Sequence, residues 1–439
     1  MTDLGDRQFR APIDDETSAR LGEQGLDVRL VASDDAERFA PWYQALARGF
    51  LDSEPSEKQV ESASRRMGRR RLVGVFDAGA PDPDRPVATF VSWVAELSVP
   101  GGVGIPSCAV SAVSVAPTHR RRGILRSVMA GELRLARDAG VPVAVLTVSE
   151  STIYGRFGFA SAALSAHARI DVPRAQWTGP RPAGRVDFVS RERFREIAPD
   201  LHDRVRLSHP GELEMPDGHW DRFAGTEADA ENPEKLRAVQ YTDEHGAVQG
   251  VALYRAEENH QDFARSKVSV HRLVAVTPDA YAGLWRFLLE LDLIGELSAG
   301  ELAVDEPVLW MIADRRAAKV TVQDHQYVRI LDVPAALAAR RYAVPGVVTL
   351  EVTDPLGFAE GVWTVRVGGD GRASVEPSEA GAQPEGPRVR LGVTELSAAY
   401  LGSVSLATLA AAGRVETSDP VTAAALFAWP QQARLSFWY

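Results

Sequence analysis

One pattern, a strand pair followed by a helix, occurs twice in this chain at constant spacing. VATFVSWVAE (87–96) is answered by GVALYRAEE (250–258), and VSAVSVAPTHRRRGILRSVMAGEL (110–133) by HRLVAVTPDAYAGLWRFLLEL (271–291). Ser114 and Ala275 lie 161 positions apart, as do Trp93 and Tyr254. So steady an offset marks the duplication of a whole domain rather than a short repeat. In the first copy an apolar alternation runs to Val115, Pro117 and three arginines end it, and Ile124, Leu125, Val128, Met129 and Ala136 then fall on one helical stripe. Gly140 and Pro142 close that helix, and VAVLTV (143–148) reads as a short strand buried on both faces. Strand, helix and strand in this order predict a parallel pair. PVLWMIAD (307–314) is expected to be the second copy's version of VAVLTVSE (143–150).

The rest of the chain is organised around these two copies. Residues 1–27 are charged and aperiodic and are expected to form a flexible arm. The first copy occupies 28–175 and the second 176–328. From 329 to 439 the character changes: GVVTLEVTDPLGFAEGVWTVRVGGDG alternates like strands joined by turns, and two helical stretches follow. A hydrophobic share of 45% supports several cores, and 439 residues are too many for one. A net charge of −11 argues against a nucleic-acid partner and weakly favours small cations. The single cysteine, Cys108, excludes an intramolecular disulfide and a cysteine zinc cluster, and reads as a small core residue. The nine histidines show no metal-binding spacing, so no metal is expected. With neither a signal-peptide core nor a long apolar run, the sequence suggests a cytoplasmic protein with no membrane partner.

Three adjacent arginines between a strand and a helix need an explanation in an acidic chain. A helix N-terminus leaves backbone N–H groups unpaired and carries partial positive charge, so an Arg/Gly-rich entry to it suits a phosphate. Arg120 and Arg121 would add donors there, and Gly123 would bring the backbone close. The turn is neither GxxxxGK[ST] nor GxGxxG. A plain solvated basic run is the alternative. The second copy has lost both the arginines and the glycine, keeping the shape without this chemistry.

RRRGIL (120–125) resembles the acetyl-CoA pyrophosphate loop of the GCN5-related N-acetyltransferases, with leucine where the generic loop ends in a small residue. SVAPTHRRRGIL (114–125), followed by AGVPVAVLTVSESTIYGRFGF (139–159), resembles the Eis (enhanced intracellular survival) family, and the likeness covers nearly the whole chain. It implies an α+β / α/β fold: tandem acetyltransferase folds, the second degenerate, and a sterol carrier protein-like domain at the C-terminus. It implies acetyl-CoA as acyl donor. Val113 and Val115 would meet its pantetheine arm, Arg120, Arg121, Gly123 and Ile124 its pyrophosphate, and Ser149 its acetyl end. Tyr154, in IYGRFG, would be the general acid and the Tyr439 carboxylate the general base. Phe50 and Asp52, in FLD, match the family's acceptor pocket. The implied partners are a small cationic amine and further copies of the chain, as a ring-like homohexamer.

Trp42 and Trp220 are further candidates for an aromatic wall of that pocket, with core packing as their other role. Phe437-Trp438-Tyr439 is too apolar an end to be left in water and is expected to be docked. Three readings remain at this point. One is an aminoglycoside-type acetyltransferase, one a polyamine or protein-lysine acetyltransferase, and one a non-catalytic ligand-binding or scaffold protein.

Overall fold

The computed structural model describes residues 2–227, 229–379 and 383–439. They form two compact units: 1–163 with 325–433 and Tyr439, and 164–324 with 434–438.

The first unit is built on strands β1 (Leu26–Val31), β2 (Arg71–Asp77), β3 (Ala88–Val99), β4 (Val103–Val115) and β5 (Val143–Thr147), hydrogen-bonded in that order. The pairs are antiparallel up to β4, and β4 with β5 is parallel. A parallel pair needs a crossover, which the helix Ile124–Asp138 supplies. Ile124, Val128, Met129, Leu133 and Ala136 of that helix are buried against the sheet, and Leu125 is half-buried. The end of the strand Ala318–Ile330 adds to β5 antiparallel, through Gln326–Ile330.

Residues 2–22 correct the expectation of a flexible arm. They form helices Thr2–Arg10 and Asp15–Gly22. Leu21 is fully buried, and Gln8 donates to Ser92 Oγ at 3.2 Å and to Cys108 Sγ at 3.0 Å. Asp14 caps the second helix through Thr17 N at 2.9 Å and takes an ion pair from Arg134 at 2.6 Å. Arg71, buried and paired with Glu132 at 2.8 Å, also donates to the carbonyls of Ala11 and Pro12. The segment is held by polar groups reaching from the core, which leave no apolar periodicity to read.

The C-terminal part of the first unit is a five-stranded sheet in the order Ala373–Pro377, Gly361–Val367, Gly346–Thr353, Arg388–Gly392, Val415–Thr417, with helices Val393–Ala399, Leu406–Ala411 and Pro420–Phe427. Arg329 and Asp354, both without exposed side-chain surface, form an ion pair in which Arg329 Nη2 donates to both carboxylate oxygens, at 2.9 and 2.7 Å.

The second unit comprises β6 (Ala160–Asp171), β7 (Arg185–Val189), β8 (Leu236–Thr242), β9 (Val248–Glu257), β10 (Ser266–Ala275) and β11 (Ile294–Leu302) in the order β6-β11-β10-β9-β8-β7. Its register repeats that of the first. Trp93 faces Ala109 and Thr89 faces Ser114; 161 positions on, Tyr254 faces Val270 and Gly250 faces Ala275. The strand parallel to β10 is β11, not PVLWMIAD. Residues 307–310 of that run are a 3-10 turn, and Val308, Leu309 and Ile312 are buried in this unit's core. A short apolar run reports burial but cannot distinguish a core strand from a core turn. The expected boundary at 175/176 also differs from the change of unit, which falls inside β6 between Ala163 and Leu164.

Among the described residues no helix is long and apolar enough to cross a membrane.

Candidate active site

The site begins where β4 and β5 part. Their pairing covers only Ser107–Val110 with Val143–Leu146, although β4 continues to Val115. The register against β3 slips between Thr89 and Val91, and Ala112 opposite the slip takes a positive φ of 53°. A bulge bends a strand and ends regular pairing. The result is a fork in the sheet, with Val113 and Val115, both half-buried, on the arm of β4 that β5 no longer covers.

At the end of that arm lies the arginine turn. Arg121 (φ 66°) and Gly123 (φ 76°) are both left-handed, and Gly123 is the N-cap of Ile124–Asp138 with no side chain capping the helix. Uncapped N–H groups at a helix start, entered through left-handed residues, form an anion-binding concavity. Arg120 and Arg121 are exposed beside it, whereas Ile124 is buried beneath and anchors the turn. Arg122 points elsewhere: it donates to Gln24 O at 3.1 Å and approaches Asp77 at 3.6 Å. His119 Nε2 lies 3.0 Å from Asp77 Oδ2, and this hydrogen bond holds the Asp77 carboxyl below the usual carboxylate range. The equivalent turn of the second unit is built differently. There Thr277 caps the helix through Ala280 N at 3.1 Å and Pro278 occupies the first turn, so the terminus is satisfied internally.

Past β5 the chain reaches exposed Ser149 and the short helix Ser151–Tyr154. Tyr154 is 8% exposed, with Phe159 edge-on at 6.3 Å. Burial, with Glu150 second, pushes its phenol up to about 12. The turn after it is braced by Arg329, whose Nε donates to Phe157 O at 2.8 Å. Tyr439 lies here as well. Thr147 Oγ1 donates to Tyr439 O at 2.8 Å, and its ring meets Trp93 edge-on at 5.5 Å. The Tyr439 phenol is itself buried, which pushes its pKa up. Thr147 through Tyr154 therefore gathers the terminal residue, Ser149 and the buried phenol at one end of β5.

Residues 27–162 and 211–330 each match a family model described as an acetyltransferase (GNAT) domain, and 333–436 match a sterol carrier protein domain. An uncharacterized N-acetyltransferase of Streptomyces avermitilis is 39% identical over 400 residues, which are 89% of this chain and 92% of its own. N-acetyltransferase Eis of Mycobacterium tuberculosis is 38% identical over 333 residues, 74% of this chain and 77% of its own. The crystal structure of Eis1 from Mycobacterium abscessus matches with a TM-score of 0.79 at 28% identity, over 94% of this chain and 100% of that one.

The chain belongs to the Eis family of N-acetyltransferases. It carries that family's two acetyltransferase folds followed by a sterol carrier-like domain, and enzymes of this fold use acetyl-CoA.

Of the remaining Eis-type candidates, Phe50 and Asp52 are exposed at the end of helix Ala36–Gly49. That end abuts the fork, since a Cβ on Gly49 would stand 2.5 Å from Ser114 Oγ. Trp42 and Trp220 are both buried, against the expectation that they wall an open acceptor pocket. Trp42 is wholly buried and donates from Nε1 to Val73 O at 3.0 Å. Trp220 is buried in the second unit beside His202 and Phe223. An indole's area favours burial once its N–H finds a partner, and sequence does not reveal that partner. Thr147 was missed for a related reason: as the last residue of β5 it carried no motif, and only the docked terminus gives it a role. Among the described residues no group of three or more His, Cys, Asp or Glu is placed to hold a metal.

Proposed function

We propose that this Eis-family enzyme transfers acetyl from acetyl-CoA directly to an amine of a polycationic, aminoglycoside-type acceptor. Tyr154 is the general acid and the Tyr439 carboxylate the general base. The observation that carries this reading is the seat of Tyr439 on Thr147, at the β5 end of the fork whose β4 arm leads to the arginine turn. Val113 and Val115 would offer strand backbone to the donor's arm, and Arg120, Arg121, Gly123 and Ile124 would hold its pyrophosphate. Ser149 would lie near the acetyl group. Bound acetyl-CoA supplies an acetyl thioester already activated for attack. Attack by the amine breaks the thioester C–S bond and the departing CoA thiolate takes the proton of Tyr154 Oη, which its raised pKa keeps in place until then. The Tyr439 carboxylate attracts an ammonium and accepts its proton, directly or through water, so that the nitrogen gains a lone pair. A carboxylate is a weak base, and its contribution is largely electrostatic and positional. Phe50 and Asp52, exposed next to the fork, suit a ring-bearing cation.

Thiol release from acetyl-CoA, measured against several aminoglycosides, spermidine and a lysine peptide, tests the acceptor class. Release with spermidine or peptide alone would favour the polyamine or lysine reading. No release and no acetyl-CoA binding would favour a scaffold. Tyr154→Phe, and a chain one residue longer at Tyr439, should each cut turnover while leaving acetyl-CoA binding intact; unchanged turnover in both removes the two catalytic roles. The homohexamer and cytoplasmic location that the family suggests are parts of the same proposal. Light scattering giving a monomer removes the first, and fractionation of the cells the second.

A further inference from the structure

We propose that the second unit, which lacks the arginine turn, is a clamp for the C-terminal tail, with Glu212 and Arg272 as positioning residues. The inference rests on the reading of Tyr439 as the base. Residues 434–438 belong to this unit. Glu212, 1% exposed, accepts hydrogen bonds from Arg434 Nε at 3.1 Å, Ser436 N at 3.3 Å and Ser436 Oγ at 2.9 Å. Arg434 N donates to Pro210 O at 2.9 Å. Arg272, on β10, donates to the Ser436 carbonyl and to His202 Nδ1 at 3.3 Å. Phe437 is wholly buried, edge-on to His202 at 6.3 Å and His219 at 5.9 Å.

The charges at this place are those of a holding device rather than ordinary core. Burial works against ionisation of Glu212, yet Arg434 and Arg272, with the Ser436 hydrogen bond, outweigh it and hold the carboxyl below its usual value. Arg272 is 5% exposed and makes no ion pair among the described residues. Its guanidinium lies among the rings of Trp220, Phe223 and Phe437. A buried cation without a carboxylate in contact is expensive, and a methionine of similar length would pack there at lower cost. What the guanidinium adds is a donor for the tail. Trp438 is joined to Tyr439 by one peptide bond, so fixing 434–438 confines the last Cα to about 3.8 Å from its neighbour. A free tail of five residues would spread the same carboxylate over a far larger volume.

The test uses the full-length enzyme with Arg272→Met, Arg272→Lys and Glu212→Gln. Hydrogen exchange of the 434–438 amides and release of Tyr439 by a carboxypeptidase report the clamp itself; kcat and the KM for acetyl-CoA report its consequence. The expected result is exchange at least tenfold faster in Arg272→Met and Glu212→Gln. In both, kcat falls at least tenfold while KM for acetyl-CoA stays within twofold, and Arg272→Lys retains most of both. Should Glu212→Gln not fold, Arg272→Met decides, because Arg272 makes no ion pair in contact among the described residues and a methionine of similar length can fill its place. Unchanged tail exchange in Arg272→Met overturns the proposal. So does a freed tail with unchanged kcat, provided the chain extended beyond Tyr439 has lost turnover. If that extended chain keeps its turnover, the base assignment has failed instead, and the exchange data alone judge the clamp.

Discussion

Replacing Gly123 by alanine isolates the backbone's share in holding an anion at the arginine turn. Gly123 has φ 76° and ψ 6°, and an added Cβ would find no atom within 4 Å. The substitution therefore introduces no clash, and its whole cost is the left-handed conformation, about 1–2 kcal/mol for an L-residue. Gly123 and its neighbours Arg120 and Arg121 are exposed, so the free loop can relax to a right-handed form and lose the concave array of N–H groups. Binding must then restore the left-handed turn. Acetyl-CoA affinity should fall about five- to thirtyfold, at about 1.4 kcal/mol per tenfold. Arg121→Gly is the complementary change, because Arg121 already holds φ 66°. It keeps the backbone shape and removes a cation, so affinity should fall mainly at low salt and its salt dependence should flatten. Isothermal titration with acetyl-CoA at two ionic strengths measures both. Equal affinity of Gly123→Ala and the parent, within twofold and with thermal stability also unchanged, would refute the argument from backbone geometry.

Three further outcomes follow from buried groups. Asp354→Ala leaves the Arg329 guanidinium buried without its carboxylate and should cost about 3–5 kcal/mol; urea unfolding that shows a loss under about 1 kcal/mol would contradict it. Cys108 is wholly buried, and burial pushes its thiol up to about 12, so Ellman's reagent should label it only after denaturation; rapid labelling of the folded protein would contradict the structure. Burial, with Arg272 second, lowers His202 to about 4, while the unfolded imidazole titrates near 6.5. Because the unfolded chain takes up the proton first, the second unit should lose about 3 kcal/mol as pH falls from about 6.5 to 4, and His202→Phe should flatten that dependence in thermal melts.

The arginine turn was legible in the sequence because its chemistry is local. A strand end, a glycine able to take φ 76° and an amphipathic helix occupy consecutive residues, and each needs only its neighbours to be recognised. The duplication was legible for the same reason, since a constant offset of side-chain pattern preserves register. Elements defined by distant partners were not. Residues 2–22 look aperiodic because Arg71, Arg134 and Ser92 hold them from far along the chain. Trp42 looks like a free aromatic until its N–H is found on Val73 O. The run 307–314 looks like a strand because apolarity signals burial rather than backbone form.

By itself, then, the sequence determined the two related folds, and the arginine turn that one of them carries and the other lacks. The tertiary structure decided where the last six residues go. Phe437-Trp438-Tyr439 announces only that the end prefers to be dry, since hydrophobic burial has no direction. The Glu212 carboxylate, the Arg272 guanidinium and the Thr147 hydroxyl give that end its direction. Hydrogen bonds and charge pairs are specific in distance and angle, and their partners lie hundreds of residues away in the chain.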